Sequence, residues 1–527
     1  MLRLRRINQT NLLKLNKFIS FQSFRLQSDE IKIRGQTFNK DPKMFNVSKN
    51  VLKLLERGGM HGDKYHPIGL LATCIQNHFD WNHRSVGNMS PLFTIIDNLH
   101  PVVTTKQQFD SLLIAEDHVA RSKTDNYYVN EKQCLRAHTS AHQVEIMKQG
   151  LDAFLVFGDV YRRDEIDATH YPAFHQLEGV RLFTEEHLKD LYGLDDEPLR
   201  RDDDDSHDRS EITQAEYDLK ATLIISEDLK KTLLGLVKAL LGDEIEYRWI
   251  DEYFPFTHPS FELEVFWKGE WMEILGCGVI EHQILKNSGC GNKFGWAFGI
   301  GLERLAMLMF EVPDIRMLWT EVPGYKKSIT NLISNLYDDM GVRPEDHNCH
   351  TMDISKVRNL RMPATYATNP PVIQHMSFFM KNKIEPNDVY DVVREISGEY
   401  IESVRIQDEF FHPKEKMKAN LYELIFRCPA GNKLTNEETI RMVDLIGQEL
   451  VDTYEIIPRW EIKEHSERGK IAVRKGNTEE VEESEKEKKK AEKAARRKEK
   501  NKAKFEEKQA RKRAKREAKK LESHESS

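Results

Sequence analysis

Hydrophobic and polar positions along the chain switch between two spacings, one of three to four residues and one of two. The first marks amphipathic helices, the second strands. From His66 to Phe79, Ile68, Leu71, Ala72 and Ile75 fall on one helical face. Residues 90–105 are strand-like but broken at Pro101, and residues 109–130 read as extended chain. FLVFGDVYRR (154–163) and AFHQLEGVRLF (173–183) are rich in β-branched and aromatic side chains. They predict two antiparallel strands joined by a long polar loop. Alternation then places Arg162 and Asp164 on one face, and likewise Gln176 and Glu178. Helical spacing returns at 225–243, where Glu227 and Asp228 suit a first turn. Residues 247–267 and 269–280 read as strands, and Phe254 and Phe256, two apart on extended chain, share a face. Residues 295–310 predict a glycine-punctuated strand running into a helix with Leu302, Leu305, Ala306 and Met309 inward.

A second unit begins after about residue 340. Strand-like 370–380 is followed by a helix with Val389, Val392, Val393 and Ile396 at helical spacing, then by strand-like 401–411 and 420–428. Thr435 and Glu438 have capping-box spacing and open a helix through Ile440, Val443, Leu450 and Tyr454, after which 455–460 is a short strand. The order β-α-β-β-α-β is that of a ferredoxin-like unit. The expected organisation is therefore 1–28, a leader; 29–340, a first domain; 341–368, a linker; 369–460, the ferredoxin-like domain; and 461–527, a charged tail.

Charge changes the picture at three places. The formal net charge is −7, yet residues 485–520 hold 19 Lys and Arg against 7 Asp and Glu. That stretch lacks a heptad seam and predicts a solvated helical or disordered tail. Residues 1–28 carry Arg3, Arg5, Arg6, Lys14, Lys17 and Arg25 and no acid, the composition of a mitochondrial transit peptide. Residues 193–211, with Asp202 to Asp205 consecutive, predict a disordered acidic surface insertion. The six cysteines form no CxxC pair, so neither a zinc site nor a disulfide framework is indicated. No run approaches the roughly 18 apolar residues that a membrane helix needs.

Candidate chemistry sits in three blocks. Arg162 lies beside a polar loop with His170 and Tyr171; Arg304 opens a helix after Gly299-Ile300-Gly301; Phe254 and Phe256 share an apolar face. A cation beside amides and carboxylates suits an anionic or zwitterionic ligand. Two arginines from separate elements can flank a polyphosphate. Neither a GxxxxGK[ST] loop nor a strand-GxGxxG-helix fingerprint occurs, so arginine and carboxylate must handle any nucleotide.

The blocks RAHTSAHQ (136–143), GDVYRRDEIDATHYPAFHQLEG (158–179), YFPFTHPSFE (253–262), MEILGCGV (272–279) and GWAFGIGLERLAM (295–307) occur in that order. Together they resemble the class II aminoacyl-tRNA synthetases, and are similar in particular to the single-chain mitochondrial phenylalanyl-tRNA synthetases. The resemblance runs from about His66 to Trp460. It implies an α+β fold: an antiparallel sheet flanked by helices, followed by a ferredoxin-like anticodon-binding domain. It implies that Arg162 contacts the α-phosphate of ATP and the amino-acid carboxylate, that Thr169, His170 and Tyr171 form the loop around the nucleotide, and that Arg304 grips the far phosphates. Glu273 matches a substrate-site carboxylate with a nucleotide or metal role. The segment with His138, Ser140, Ala141, His142 and Gln143 lines the cleft, and Gln176, Leu177 and Glu178 fall at the ammonium side. Phe254 and Phe256 would pack edge-to-face on a phenyl ring, which contributes ~0.5–1.5 kcal/mol beyond burial. Ala297 and Phe298 match positions lining that pocket.

The activity implied is ATP-dependent attachment of L-phenylalanine to mitochondrial tRNA(Phe) through an adenylate, with ATP as substrate and Mg2+ as its companion. No protein-held metal site or membrane contact is implied, and the enzyme is expected to work as a monomer in the mitochondrial matrix. Two other classes are open. An enzyme charging a non-tRNA acceptor is argued against by the domain at 369–460. A catalytically dead RNA-binding paralogue is argued against by Arg162, Gln176, Glu178 and Arg304 together.

Overall fold

The computed structural model describes residues 29–458 apart from 86, 195–197, 201–208, 344–351, 364–368, 381–383, 413–415 and 429–433. The expected leader and tail, and most of the acidic run, lie outside the described residues.

Seven strands form the main sheet: β1 (Thr94–Ile96), β2 (Ala153–Tyr161), β3 (Ala173–Thr184), β4 (Tyr247–Phe254), β5 (Thr257–Trp267), β6 (Glu270–Ile280) and β7 (Lys293–Gly301). Their spatial order is β1-β2-β3-β7-β6-β5-β4. Only the β1–β2 pair is parallel. Every residue of β2 is buried, because alternate side chains enter two different cores. Leu155 and Phe157 join one hydrophobic cluster, Phe154 and Val156 the other. The larger cluster lies under helices α1 (Pro67–Asn82), α2 (Leu219–Leu241), α3 (Leu302–Met309) and α4 (Pro323–Met340). Alternation carries the same division along β3: Leu177 packs on the helix side, and Val180 and Leu182 on the other. Gln176 and Glu178 therefore face away from the helices.

The ferredoxin-like order is present as β8 (Val372–Met380), α5 (Pro386–Ser397), β9 (Ile401–His412), β10 (Met417–Phe426), α6 (Asn436–Tyr454) and β11 (Ile457–Pro458). The sheet order is β9-β10-β8-β11, antiparallel throughout. Thr435 and Glu438 make both hydrogen bonds of the capping box at the start of α6.

Five local expectations are corrected. Residues 109–130 are not extended: they fold into 3-10 turns at Asp110–Leu112 and Val119–Arg121, and only Tyr128–Asn130 is strand. Strand β2 stops at Tyr161, so Arg162 and Asp164 are loop residues rather than alternate strand positions. The helix expected at 225 begins at 219, capped by the Asp218 side chain, and Asp228 sits in its interior, accepting from Trp296 Nε1 at 2.7 Å and pairing with Arg181. Phe254 ends β4 and Phe256 lies in the turn before β5, so these rings flank a hairpin corner. Within the run expected to be disordered, Leu199 is buried in the main core and Arg200 lies 4.3 Å over the Phe294 ring.

No described helix is long and apolar enough to cross a membrane. The five described cysteines are free and buried.

Candidate active site

On the sheet face away from the helices lies a cavity of about 440 Å3. Its floor is built of small residues. A Cβ on Gly276 of β6 would stand 2.9 Å from the Phe254 ring, and one on Gly299 of β7 would stand 2.8 Å from Gln176 Nε2. Both positions need glycine so that neighbouring side chains can lie across the sheet.

At one end, three buried acceptors have no partner: His138 Nδ1, Gln143 Oε1 and Glu178 Oε1. The other Glu178 oxygen accepts from Thr139 Oγ1 at 3.4 Å, and Gln176 Oε1 accepts from Thr139 N at 3.1 Å. Burial raises the Glu178 carboxyl to about 8, against the opposing bonds from the Ser140 and Thr139 hydroxyls. Burial pushes His138 down to about 3, next to the Arg162 charge. Its bond to the Gln108 backbone uses the other ring nitrogen, which leaves neutral Nδ1 buried with an unpaired lone pair. An unsatisfied buried acceptor costs about 1–3 kcal/mol. Three together call for a ligand with several N–H donors, such as an ammonium.

Two cations, Arg162 and Arg304, line the same cavity. Arg162 donates Nε–H to Ala137 O at 2.8 Å, and its guanidinium lies 5.0 Å over the Phe174 ring. Arg304, in the first turn of α3, reaches the Glu273 backbone oxygen at 3.2 Å and its carboxylate at 3.3 Å. In the loop between β2 and β3, Asp167 Oδ1 accepts from the Thr169 and His170 amides at 2.7 and 2.8 Å. Asp167 also bonds His170 Nδ1 at 2.9 Å, and that bond raises the imidazole above its ordinary range. Tyr171 stacks on Trp319 with centroids 5.4 Å apart, and burial raises its phenol to about 12.

The apolar wall is the Phe254–Phe256 pair, whose rings are nearly parallel at 8° and 5.7 Å, with the His138 ring stacked on Phe256 at 6.4 Å. Ala297 borders the same space.

The cavity thus brings together His138, Ser140, Gln143, Arg162, Thr169, His170 and Tyr171, and with them Gln176, Glu178, Phe254, Phe256, Glu273, Ala297 and Arg304. Three expected residues lie outside it. Ala141 and Leu177 are core residues on opposite sides of the sheet, and His142 turns back to meet Arg136, with Nε2 3.0 Å from the guanidinium. Phe298 borders the cavity, but its ring belongs to the helix-side core, stacked on Phe79 at 6.0 Å.

Sequence reasoning missed the supports behind the cavity. Glu303 is almost fully buried and accepts from three donors: His175 N at 2.6 Å, His175 Nδ1 at 2.7 Å and Trp319 Nε1 at 3.2 Å. Met60 N–H donates to His175 Nε2 at 3.2 Å, so Nδ1 carries the ring proton toward Glu303. This ties β3 to the helix that carries Arg304. A carboxylate beside Arg304 on an otherwise apolar helix start was the available signal. Asp159 is the second support: Arg136 NH2 stands 3.0 Å from Oδ1 and Arg34 NH2 2.6 Å from Oδ2, and Tyr161 OH also bonds it. Burial opposes its charge, but the two guanidiniums outweigh that and hold the carboxyl well below the usual range. Arg34 comes from a hairpin turn more than 120 positions away, which no local pattern reveals.

A family model described as tRNA synthetases class II core domain (F) matches residues 90–199 and 195–327. Together with the seven-stranded, mainly antiparallel sheet, it makes this a class II aminoacyl-tRNA synthetase core. The mitochondrial phenylalanine–tRNA ligase of Mus musculus is 42% identical over 399 residues, spanning 75% of this chain and 82% of that protein. The mitochondrial phenylalanine–tRNA ligase of Saccharomyces cerevisiae is 32% identical over 482 residues, spanning 82% and 95%. The probable mitochondrial phenylalanine–tRNA ligase of Drosophila melanogaster is 37% identical, spanning 81% and 92%. The chain belongs to the mitochondrial phenylalanine–tRNA ligase family.

Proposed function

We propose that the cavity seats L-phenylalanine and ATP side by side and that the chain attaches phenylalanine to mitochondrial tRNA(Phe). The observation that carries this reading is the trio of unpartnered acceptors at His138, Gln143 and Glu178, in one cavity with the arginines at 162 and 304. The trio takes the substrate ammonium, together with Gln176. Phe254, Phe256 and Ala297 take the phenyl ring. Arg162 lies between the carboxylate and the α-phosphate, Thr169, His170 and Tyr171 border the nucleotide, and Arg304 holds the far phosphates.

A carboxylate oxygen of phenylalanine attacks the α-phosphorus, the bond to the bridging oxygen breaks, and pyrophosphate leaves. The terminal adenosine hydroxyl of the tRNA then attacks the acyl carbon and AMP departs. Arg162 offsets the charge that develops at phosphorus; no enzyme nucleophile is required, so positioning and electrostatics dominate.

Mg2+ bound with ATP would neutralise phosphate charge. The residues fit it: burial, together with Glu273, Glu252 and Glu264, raises Glu262 to about 7, a repulsion that a divalent cation relieves. Glu273 and Glu262 are the residues that would hold it. Among the described residues no group of three His, Cys, Asp or Glu is placed to hold a metal by itself.

The ferredoxin-like domain reads the anticodon end of the tRNA, and the enzyme works as a monomer in the matrix. The acid-free leader supports the location. Phenylalanine-dependent ATP–pyrophosphate exchange by the purified chain tests the activation step. Exchange with phenylalanine but no charging of tRNA would point to a different acceptor; no exchange would remove the enzyme reading.

A further inference from the structure

The loop between β2 and β3 carries the ATP-side residues, yet much of its hold comes from the ferredoxin-like domain. Ile166 is 5% exposed, and its side chain belongs to the hydrophobic core of that domain with Met376, Val389, Val404 and Tyr422. Strand β9 is an edge strand there, and Val404 N–H donates across its free edge to Ile166 O at 2.9 Å. The Arg394 guanidinium of α5 bonds the carbonyls of both Asp164 and Glu165. Asn387 donates to Arg163 O at 2.5 Å, while Arg163 itself is clamped by Asp388 at 2.8 Å and Asp391 at 2.7 Å. Four consecutive residues, 163 to 166, are thus fixed by the ferredoxin-like domain, immediately between Arg162 and the Asp167 turn that shapes Thr169 and His170. From the catalytic side, the loop has the backbone bonds of Arg163 N to Asp125 O at 2.9 Å and of Ile315 N to Ala168 O at 2.8 Å, the Arg163 guanidinium on Lys123 O at 2.6 Å, and the Tyr171–Trp319 stack.

We infer that the ferredoxin-like domain is a positioning element for amino-acid activation: by gripping residues 163–166 it holds the nucleotide loop in its working shape, independently of any tRNA. Ile166 and Arg394 are the positioning residues, and neither lines the cavity. The phenylalanine side stands on β3 and the 139–142 turn and is built without this grip. Loosening the loop therefore changes the nucleotide half of the site and spares the other. A reacting group misplaced by about 1 Å costs on the order of 100-fold.

The inference rests on the cavity reading above, and the test separates the two. In the full-length chain, Ile166→Ser and Arg394→Met are compared with the wild type and with Ile166→Val in tRNA-free ATP–pyrophosphate exchange. Thermal unfolding and phenylalanine binding by calorimetry are followed on the same samples. The expected result is a rise of about 10-fold or more in KM for ATP, with lower exchange kcat. Phenylalanine affinity stays within about twofold, and Ile166→Val restores the wild-type ATP values. Wild-type KM for ATP in both folded variants would overturn the inference, as would equal losses of ATP and phenylalanine affinity. Absence of phenylalanine-dependent exchange in the wild type would instead overturn the cavity reading.

Discussion

Glu178 gives the sharpest quantitative test. Its carboxyl stands at about 8 in the empty site, against an ordinary 4.5, and burial is the leading cause. At roughly 1.4 kcal/mol per pH unit, that gap corresponds to about 5 kcal/mol favouring the neutral form in the folded protein. The sign follows from the upward direction: this contribution to stability is full below pH 4.5 and fades as pH rises through about 8. At pH 7 the Glu178 carboxyl of the empty site is mostly neutral. An ammonium needs the carboxylate, so binding phenylalanine at pH 7 must release close to one proton. Affinity for phenylalanine should rise about tenfold from pH 6 to pH 7, less from 7 to 8, and level beyond. His138, held near 3, stays neutral throughout and contributes no slope. Calorimetry in two buffers of different ionisation enthalpy counts the proton directly. Glu178→Gln should remove both the proton and the slope, and weaken binding at pH 8 by about 10- to 100-fold, the worth of one hydrogen bond to a charged group. No proton release at pH 7 together with flat affinity between pH 6 and 8 would refute the reasoning.

Other outcomes are equally specific. Arg34→Met leaves the buried Asp159 with one guanidinium and should destabilise the protein by about 3–5 kcal/mol, read as a lower urea midpoint. The ring pocket is apolar and rejects an added hydroxyl only about 100-fold, so tyrosine should support measurable pyrophosphate exchange; discrimination far above that order would count against the pocket assignment. Deleting residues 465–527, which include the basic run, should flatten the salt dependence of tRNA affinity if that run is an RNA-binding arm, and an unchanged slope removes the arm.

Two-residue alternation made one half of the site legible. On β3 it separated Gln176 and Glu178 from Leu177 before any contact was known, and the structure keeps that division. The same rule failed at Phe254 and Phe256, because a hairpin corner at Pro255 replaces alternation with turn geometry; the rings still end up side by side. The true start of α2 is Leu219, just after the Asp218 cap, six residues before the expected one. The ferredoxin-like order was readable because each of its elements has its own local signal, down to the Thr435–Glu438 cap. What local pattern could not supply was long-range pairing. Glu303 meets His175 from 128 positions away, and Arg394 reaches the 164–165 carbonyls across about 230. Those contacts decide how the site is held, and they depend on topology rather than on neighbouring residues.

The central claim is that Arg162, working against the ammonium end at Glu178, makes this cavity a phenylalanine-activating site for tRNA charging. The most direct measurement is ATP-dependent attachment of labelled phenylalanine to a tRNA(Phe) transcript by the full chain, beside an Arg162→Ala variant. Charging by the wild type and a loss of about 100-fold or more in kcat/KM for the variant are predicted. No charging by the wild type, or equal charging by both proteins, would contradict the account.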